Sequence, residues 1–301
     1  GMLRVGRLFL LAGLTLFWFA GLSSATEKAP RPPIKVGGSA ESLHESTRTD
    51  AEIAFQLVFN EMLVDRDERF AIKIYDNNRQ VIDKFKRNDI QVIFIDSASY
   101  LDIEEWVHPV GRYTLQYGPN LKQRYLLLVR NDSGLNALKD LRGRSLSHCL
   151  GHRIGMRFLD VALMEQGLPE SSKYFADSRV MENMNSAVVD VYFGKSDAAL
   201  VPEYGFELAK ELNPQVGKQL KVIDASEPLI YITVGLHKNF SEPRIRKVEP
   251  SFLTEKPTRR LQSMLDSFHI TRFVRLTDEV LQETRSVNER YHQLKDRQPG
   301  N

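Results

Sequence analysis

Residues 80–100, QVIDKFKRNDIQVIFIDSASY, carry the reading on which the fold turns. Gln80 to Arg87 has helical spacing of its apolar residues, Gln91 to Ile95 is a short, mostly apolar run of strand length, and the polar Ser97-Ala98-Ser99-Tyr100 follows at once. A helix that leads straight into a buried strand is a unit of a parallel sheet. Working upstream, Phe70 to Tyr75 reads as the preceding strand and roughly Asp50 to Val64 as a helix, with Ile53, Ala54, Leu57, Val58, Glu61 and Met62 at helical spacing. Ile34 to Gly37 is a first short strand ending in Gly37-Gly38. This β-α-β-α-β succession predicts a parallel, right-handed α/β layer.

Downstream the pattern repeats. After a long strand, Arg124 to Arg130, the spacing predicts a strand over Arg144–Cys149 and a helix from near His152 to Gly167-Leu168-Pro169. A short strand over Lys173–Ala176 follows, then a helix over Asn183–Phe193 with Met184, Ala187, Val188, Val191 and Tyr192 on one face. Asp197–Val201 reads as a strand, with a helix opening near Pro202. Strands Lys218–Asp224 and Leu229–Leu236 lead back, and the chain from Pro257 reads as helical, with a packing stripe of Leu276, Val280, Thr284, Val287, Tyr291 and Leu294. The apolar strands around Tyr125–Val129 and Ile230–Leu236 are the natural crossings between two lobes. Lobe 1 is then 34–129 plus 229–301, including the C-terminal helices, and lobe 2 is 130–228. Such folds hold ligands in the cleft at the carboxyl ends of the strands and close around a hinge.

The first 33 residues are of another kind. Gly1, ahead of Met2, reads as a tag remnant; Arg4 and Arg7 form a basic segment, Leu8 to Leu22 is uncharged and mostly apolar, and Ser23-Ser24-Ala25 supplies small residues. This is the order of a secretory signal cleaved after Ala25, with 26–33 an extended, Pro-rich leader. The apolar run is shorter than the roughly 20 residues of a spanning helix, although a retained anchor is the alternative. No Cys follows it, which excludes a lipoprotein anchor. With Arg4 and Arg7 removed from the net charge of +2 the mature chain is close to neutral. That balance argues against nucleic-acid binding. The single Cys149 excludes an intramolecular disulfide. Its neighbour His148 points to the other face of the strand, so the two do not form a nucleophile–base pair. Neither G-x-S-x-G, nor H-E-x-x-H, nor clustered Cys/His ligands occur, so no catalytic residue, metal or cofactor is expected.

Three stretches carry a family resemblance. Asp132-Ser133-Gly134-Leu135 with Leu138, Asp140-Leu141 and Gly143 resembles the D-S-G-I … L-x-D-L-x-G-K element of the phosphate/phosphite/phosphonate-type periplasmic substrate-binding proteins of ABC transporters. Gly194-Lys195-Ser196-Asp197-Ala198-Ala199 is similar to that family's G-x-x-D-A-A, and Lys84 to Tyr100 to its G-x-x-D-V-x-F … S-Y, with Asn88 and Gln91 in place of Gly and Asp. Order and spacing agree from about Ile34 to Phe240. The resemblance implies a type II periplasmic-binding-protein-like α/β fold, with two lobes, each a mixed, mostly parallel sheet flanked by helices. It implies a monomeric periplasmic protein that captures a small anionic or zwitterionic solute for an ABC permease. A module of the same fold that reports to a membrane sensor is the alternative, and an exported enzyme a distant third.

The candidate site follows from strand ends and from this resemblance. In lobe 1, Ser39 and Glu41 follow the first strand, and Ser97, Ser99 and Tyr100 the third; Tyr100 matches a ligand aromatic of the family. In lobe 2, Gly151-His152-Arg153-Ile154-Gly155 stands where the family has a Ser/Thr-rich loop. The hydroxyls are gone, but a Gly-flanked helix N-terminus remains, whose amides and dipole favour an anion. Arg153 either adds bidentate hydrogen bonds to that anion or lies on the solvated face, and His152 adds a donor. Asn183 and Asn185 replace a Ser-His-Asp run of the family. Glu203 and Tyr204 lie at the cleft mouth, where Glu203 suits an amine or merely favours its own helix dipole. Asp140 and Asp197 are read as local backbone acceptors rather than ligand contacts.

Overall fold

In the computed structural model, residues 29–43 and 48–298 are described, so the secretory-signal reading of 1–25 lies outside the described residues. The chain runs β1 (Ile34–Ser39), α1 (Arg48–Met62), β2 (Phe70–Tyr75), α2 (Asn78–Lys86), β3 (Val92–Asp96), α3 (Ser97–Ile103), β4 (Val107–Tyr117) and β5 (Tyr125–Arg130). It continues β6 (Ser145–Cys149), α4 (Arg153–Glu165), α5 (Ser171–Tyr174), β7 (Asp177–Met181), α6 (Met184–Tyr192), β8 (Ala198–Pro202), α7 (Glu203–Leu212), α8 (Gln215–Gln219) and β9 (Leu220–Ala225). Then come β10 (Ile232–His237), α9 (Glu242–Phe252), α10 (Arg259–Ser267), β11 (Ile270–Arg275) and α11 (Asp278–Asp296).

The strands form two mixed sheets, β11-β4-β10-β3-β1-β2 and β7-β6-β8-β5-β9. In each, three strands are parallel: β1 with β2 and β3, and β6 with β7 and β8. Strands β10 and β5 then run antiparallel against β3 and β8. Five strands of each sheet, β2-β1-β3-β10-β4 and β7-β6-β8-β5-β9, therefore follow one order, and lobe 1 adds β11. Lobe 1 packs an aromatic core in which Phe59, Phe70, Phe94, Tyr113, Phe252 and Phe273 meet at ring separations of 5.1–6.3 Å. Lobe 2 is apolar on both faces of its sheet, with Tyr125, Leu127 and Val129 of β5 on one side and Leu126 and Leu128 on the other.

Helix starts follow local chemistry. Asn77 caps α2 by accepting from the Gln80 N–H, Thr258 caps α10 and Thr277 caps α11, each worth about 0.5–2 kcal/mol. Asp140 accepts from the N–H groups of Asn136 and Ala137, and Asp197 from the Ser145 N–H and hydroxyl, so both serve the backbone.

The lobe boundary differs from the sequence expectation of 129/130. Strand β5 pairs with β8 and β9, so lobe 2 begins at Tyr125; its unbroken apolar run marks a central strand of that sheet. The crossings are shorter, at 118–124 and 226–231, where Gln123 and Leu229 exchange two backbone hydrogen bonds of 2.8 Å. The strand expected over Lys173–Ala176 is instead the single-turn α5 and the residues after it, docked by the Tyr174 hydroxyl on the Leu138 carbonyl. The strand lies just beyond, in the polar, exposed β7. Two strands give no periodic signal: β4, broken by Pro109 and Gly111, and β11, set inside an otherwise helical C-terminal stretch.

Candidate functional site

The carboxyl ends of β1, β2 and β3 bring a buried polar cluster to the cleft wall of lobe 1. Ser39, Ser42, Asp96 and Ser99 are each at most 1% exposed, and Asn78 is 6% exposed. The Asp96 carboxylate is its centre. Oδ1 accepts from the Ser42 hydroxyl (3.1 Å), Asn78 Nδ2 (3.0 Å) and the Ser99 hydroxyl (2.8 Å), and Oδ2 from the Ser99 N–H (3.1 Å). The Ser39 hydroxyl donates to Asn78 Oδ1, and the exposed Glu41 accepts from the Asn78 N–H at 3.3 Å. A carboxylate out of water is tolerated because four donors converge on it, three on Oδ1 and one on Oδ2.

The facing wall of lobe 2 is built differently. Gly151, with φ of +86°, brings its backbone against lobe 1 so closely that a Cβ there would lie 2.8 Å from the Ser42 carbonyl oxygen and 2.9 Å from that of Glu41. His152, buried, shares a 2.7 Å hydrogen bond between Nδ1 and the Tyr125 hydroxyl and stacks on Tyr231 at 3.8 Å. The Tyr231 hydroxyl donates to the Ser42 carbonyl at 2.7 Å. Burial holds both phenols well above their ordinary pKa, so they stay protonated. A row of rings continues from Tyr231 through Tyr117 to Tyr204, at 5.6 and 5.4 Å. Arg153 opens α4 and reaches across the cleft, donating from Nη1 to the Ser99 hydroxyl at 2.6 Å. Ser99 in turn donates to Asp96, so a cation of lobe 2 and a carboxylate of lobe 1 are joined through one hydroxyl.

The structure thus gathers Ser39, Glu41, Ser99, His152 and Arg153, and places the first turn of α4, with Ile154 and Gly155, beside them. Three candidate side chains point elsewhere. Ser97 is spent on the Ile230 carbonyl (2.6 Å), tying α3 to the second crossing. Tyr100 is fully buried in lobe 1 and its hydroxyl accepts from Arg112 Nη1, because one helical turn carries it from the cleft to the core. The Ile154 side chain lies in the lobe 2 core, leaving only its N–H for a ligand. Gly155 abuts the Tyr125 ring.

The remaining four candidates line a separate groove. Glu203 and Tyr204 border a cavity of about 610 Å³ with Asn120, Gln123, Glu207, Glu211, Asp266 and His269. Asn183 and Asn185 line its extension. Asn183 is also the α6 cap, accepting from the Ser186 N–H at 2.7 Å. Ser42, Asn78, Asp96, Tyr125 and Tyr231 were not among the candidates. Asp96 carries a signal, as the polar last residue of an apolar strand, whereas Asn78 opens α2 three residues past β2, and Tyr231 and Tyr125 sit inside apolar runs and carry none. Among the described residues, no three His, Cys, Asp or Glu side chains are placed to hold a metal ion, and no helix is long and apolar enough to cross a membrane.

A family model described as "ABC transporter, phosphonate, periplasmic substrate-binding protein" matches residues 46–281. No curated protein matches the chain. XAC2383 from Xanthomonas citri, solved bound to ATP, superposes with a TM-score of 0.65 at 13% identity, over 87% of this chain and 98% of that one. PhnD1 from Prochlorococcus marinus, in complex with methylphosphonate, gives 0.64 at 14% identity, over 87% and 98%. The periplasmic aliphatic sulphonate binding protein SsuA from Escherichia coli gives 0.52 at 12%, over 88% and 94%. At these identities the likeness is one of fold, the two-lobed α/β architecture of type II periplasmic binding proteins. Proteins of the matched family bind a small solute as components of a transporter. The family match spans most of the chain and reaches both sheets, and on it the chain belongs to the phosphonate-type periplasmic substrate-binding proteins of ABC transporters.

Proposed function

We propose that the protein captures a small zwitterionic solute between its lobes and delivers it to an ABC permease. The observation that carries this is the opposed polarity of the two cleft walls. Lobe 2 offers the free N–H groups of Arg153 and Ile154 at the α4 N-terminus, together with the Arg153 guanidinium. Both favour an acidic group such as a phosphonate, sulphonate or carboxylate. Lobe 1 offers Asp96 and Glu41, which disfavour a second anionic group and suit an ammonium. Arg153 donates to the Ser99 hydroxyl, and an acidic group in the cleft draws the guanidinium onto itself while the solute takes over the bridge between the lobes. His152 takes no part in holding the acid through its hydroxyl-bonded Nδ1, and instead packs the floor on Tyr231.

A thermal-shift panel tests this, with aminoalkylphosphonates, alkylphosphonates, alkyl sulphonates, amino acids, simple carboxylates and ATP. Ligand present at a hundred times Kd stabilises by about 2.7 kcal/mol, a clear rise in Tm. Aminoalkyl acids are expected to give the largest rise. Arg153→Ala should weaken the best of them by about 1.5–3 kcal/mol, the worth of a charged hydrogen bond. A panel in which no class moves Tm, with no solute co-purifying in native mass spectrometry, overturns the reading. A preference for dianions without an amine overturns the role given to Asp96.

A further inference from the structure

Helix α11 crosses the hinge as a third connection. It leaves lobe 1 directly from β11, and its first half is fixed there: Leu281 is fully buried in the cluster that holds Tyr100, Ile103 and Leu276. Arg285 makes a two-pronged pair with Glu104 at 3.0 and 2.9 Å, and Asp278 accepts from Arg112 at 2.9 Å. The middle of the helix grips both crossings. Glu283 accepts from Lys122 at 2.8 Å, and the Thr284 hydroxyl accepts from the Ile230 N–H at 2.9 Å. The second half lies along α4 of lobe 2. There Asn288 accepts from the buried Arg157, whose guanidinium also covers the Tyr291 ring, Arg290 pairs with Glu165 at 2.9 Å, and Lys295 with Glu170 at 2.9 Å.

The 19 residues of α11 include neither Gly nor Pro, so the helix has no built-in bend. A rotation of the lobes about the crossings therefore cannot be absorbed at its midpoint and must strip one half from its partner. The first half is covalently continuous with β11 and anchored by a fully buried leucine. The second half is held by the buried Arg157–Asn288 hydrogen bond, by Val287 against the lobe 2 core and by two ion pairs, of which Arg290–Glu165 is partly exposed at 39% and 47%. Such pairs are individually weak and are screened by salt. We propose that α11 is a strap that rides with lobe 1 and fastens onto α4 only when the cleft is shut, so that Arg290–Glu165 and Lys295–Glu170 set how far the ligand-free protein stays closed. This concerns the regulation of the proposed solute cleft and rests on that reading for its purpose, but its test uses no solute and so fails or holds independently.

The test compares wild type with Arg290→Ala/Lys295→Ala by small-angle scattering and amide hydrogen exchange at low salt, both ligand-free. The double variant is expected to have a larger radius of gyration. Its amides over 286–296 should exchange faster by roughly three- to tenfold, the scale of losing two ion pairs, while 278–285 keep wild-type protection. Raising salt should expand wild type towards the variant, and the exchanged pair Arg290→Glu/Glu165→Arg should restore compactness, which a merely misfolded variant would not. Unchanged scattering overturns the strap, as does a wild type already as extended as the variant. Exchange that opens 278–285 and spares 286–296 overturns it too, because the helix then belongs to lobe 2.

Discussion

The two lobes share a five-strand order but have opposite strand-end chemistry, and the difference lies in what each does with the same three positions. Around the carboxyl ends of β1, β2 and β3, lobe 1 places Ser39, Asn78 and Asp96, side chains that satisfy one another in a polar cluster. After β6, β7 and β8, lobe 2 places Gly151, Asn183 and Pro202; only Asn183 caps its helix with a side chain. There the close approach of backbone and the packing of His152 against Tyr125 and Tyr231 take over. Topology therefore fixes where a site sits, while each half of it is written separately in a few residues. One lobe presents a preorganised carboxylate, the other a helix end and a cation, and a single hydroxyl, that of Ser99, joins them.

The comparison breaks most visibly at Asp96. Asp96→Ala removes the acceptor of four hydrogen bonds and leaves the donors of Ser42, Asn78 and Ser99 buried. At about 1–3 kcal/mol for each unsatisfied group, partly relieved by relaxation, the expected loss is on the order of 4 kcal/mol. Chemical denaturation measures it. At the cap of the lobe 2 helix, Asn183→Ala removes one hydrogen bond and should cost about 1 kcal/mol. Equal losses at the two sites would mean that the lobe 1 cluster is no more integrated than an ordinary cap.

That asymmetry also decides how much was legible in the sequence. The α/β succession, the two lobes and the α4 N-terminus follow from period and from Gly and Pro positions, since these are local properties. Arg153 and Ser99 are legible because they flank strand ends. Their contact is not, because residues 54 apart in sequence meet only through the hinge. Tyr100 shows the same limit in reverse: position beside a strand end suggests the cleft, but the turn of α3 and the hydrogen bond from the Arg112 guanidinium to its hydroxyl take it into the core. Strand β7 was misplaced by a few residues because an exposed edge strand reads DSRVM, with no apolar alternation to announce it.

A middle-sized effect is expected in lobe 2, at Gly155. An added Cβ would lie 2.5 Å from Tyr125 Cδ1 and 2.7 Å from Cε1, and that ring is fully buried with its hydroxyl on His152. Overpacking of this kind costs about 1–3 kcal/mol, against roughly 1 kcal/mol gained from the better helix former, so Gly155→Ala should destabilise by up to about 2 kcal/mol. In a double-mutant cycle with Tyr125→Leu, which removes the ring, the penalty should shrink. A stabilising Gly155→Ala would show that the lobe 2 wall yields easily, and the contrast with the rigid lobe 1 cluster would then stand in a different form.

The smallest effect is on pH dependence, where the lobes should behave alike. Each carries a histidine, His148 on β6 and His237 on β10, whose imidazole is held below its ordinary pKa chiefly by burial. The unfolded chain takes up protons at about pH 6.5, the folded chain only at lower pH. Their contribution is thus fully present above that value and is lost as the pH falls through the folded values. Asp160 and Asp224, raised by burial, act in the opposite sense but only towards the carboxylate range, so the window from about pH 6.5 to 5 reports on the histidines. His237 Nδ1 accepts from the Asn239 N–H at 3.1 Å, and in His237→Asn the amide oxygen occupies the same place without titrating. Stability measured at pH 7.5 and 5.5 should therefore fall less in His237→Asn than in wild type, less in His148→Asn, and least in the double variant. Equal reductions would place the same burial on both sheets, and a change confined to one variant would show that one lobe alone governs acid unfolding.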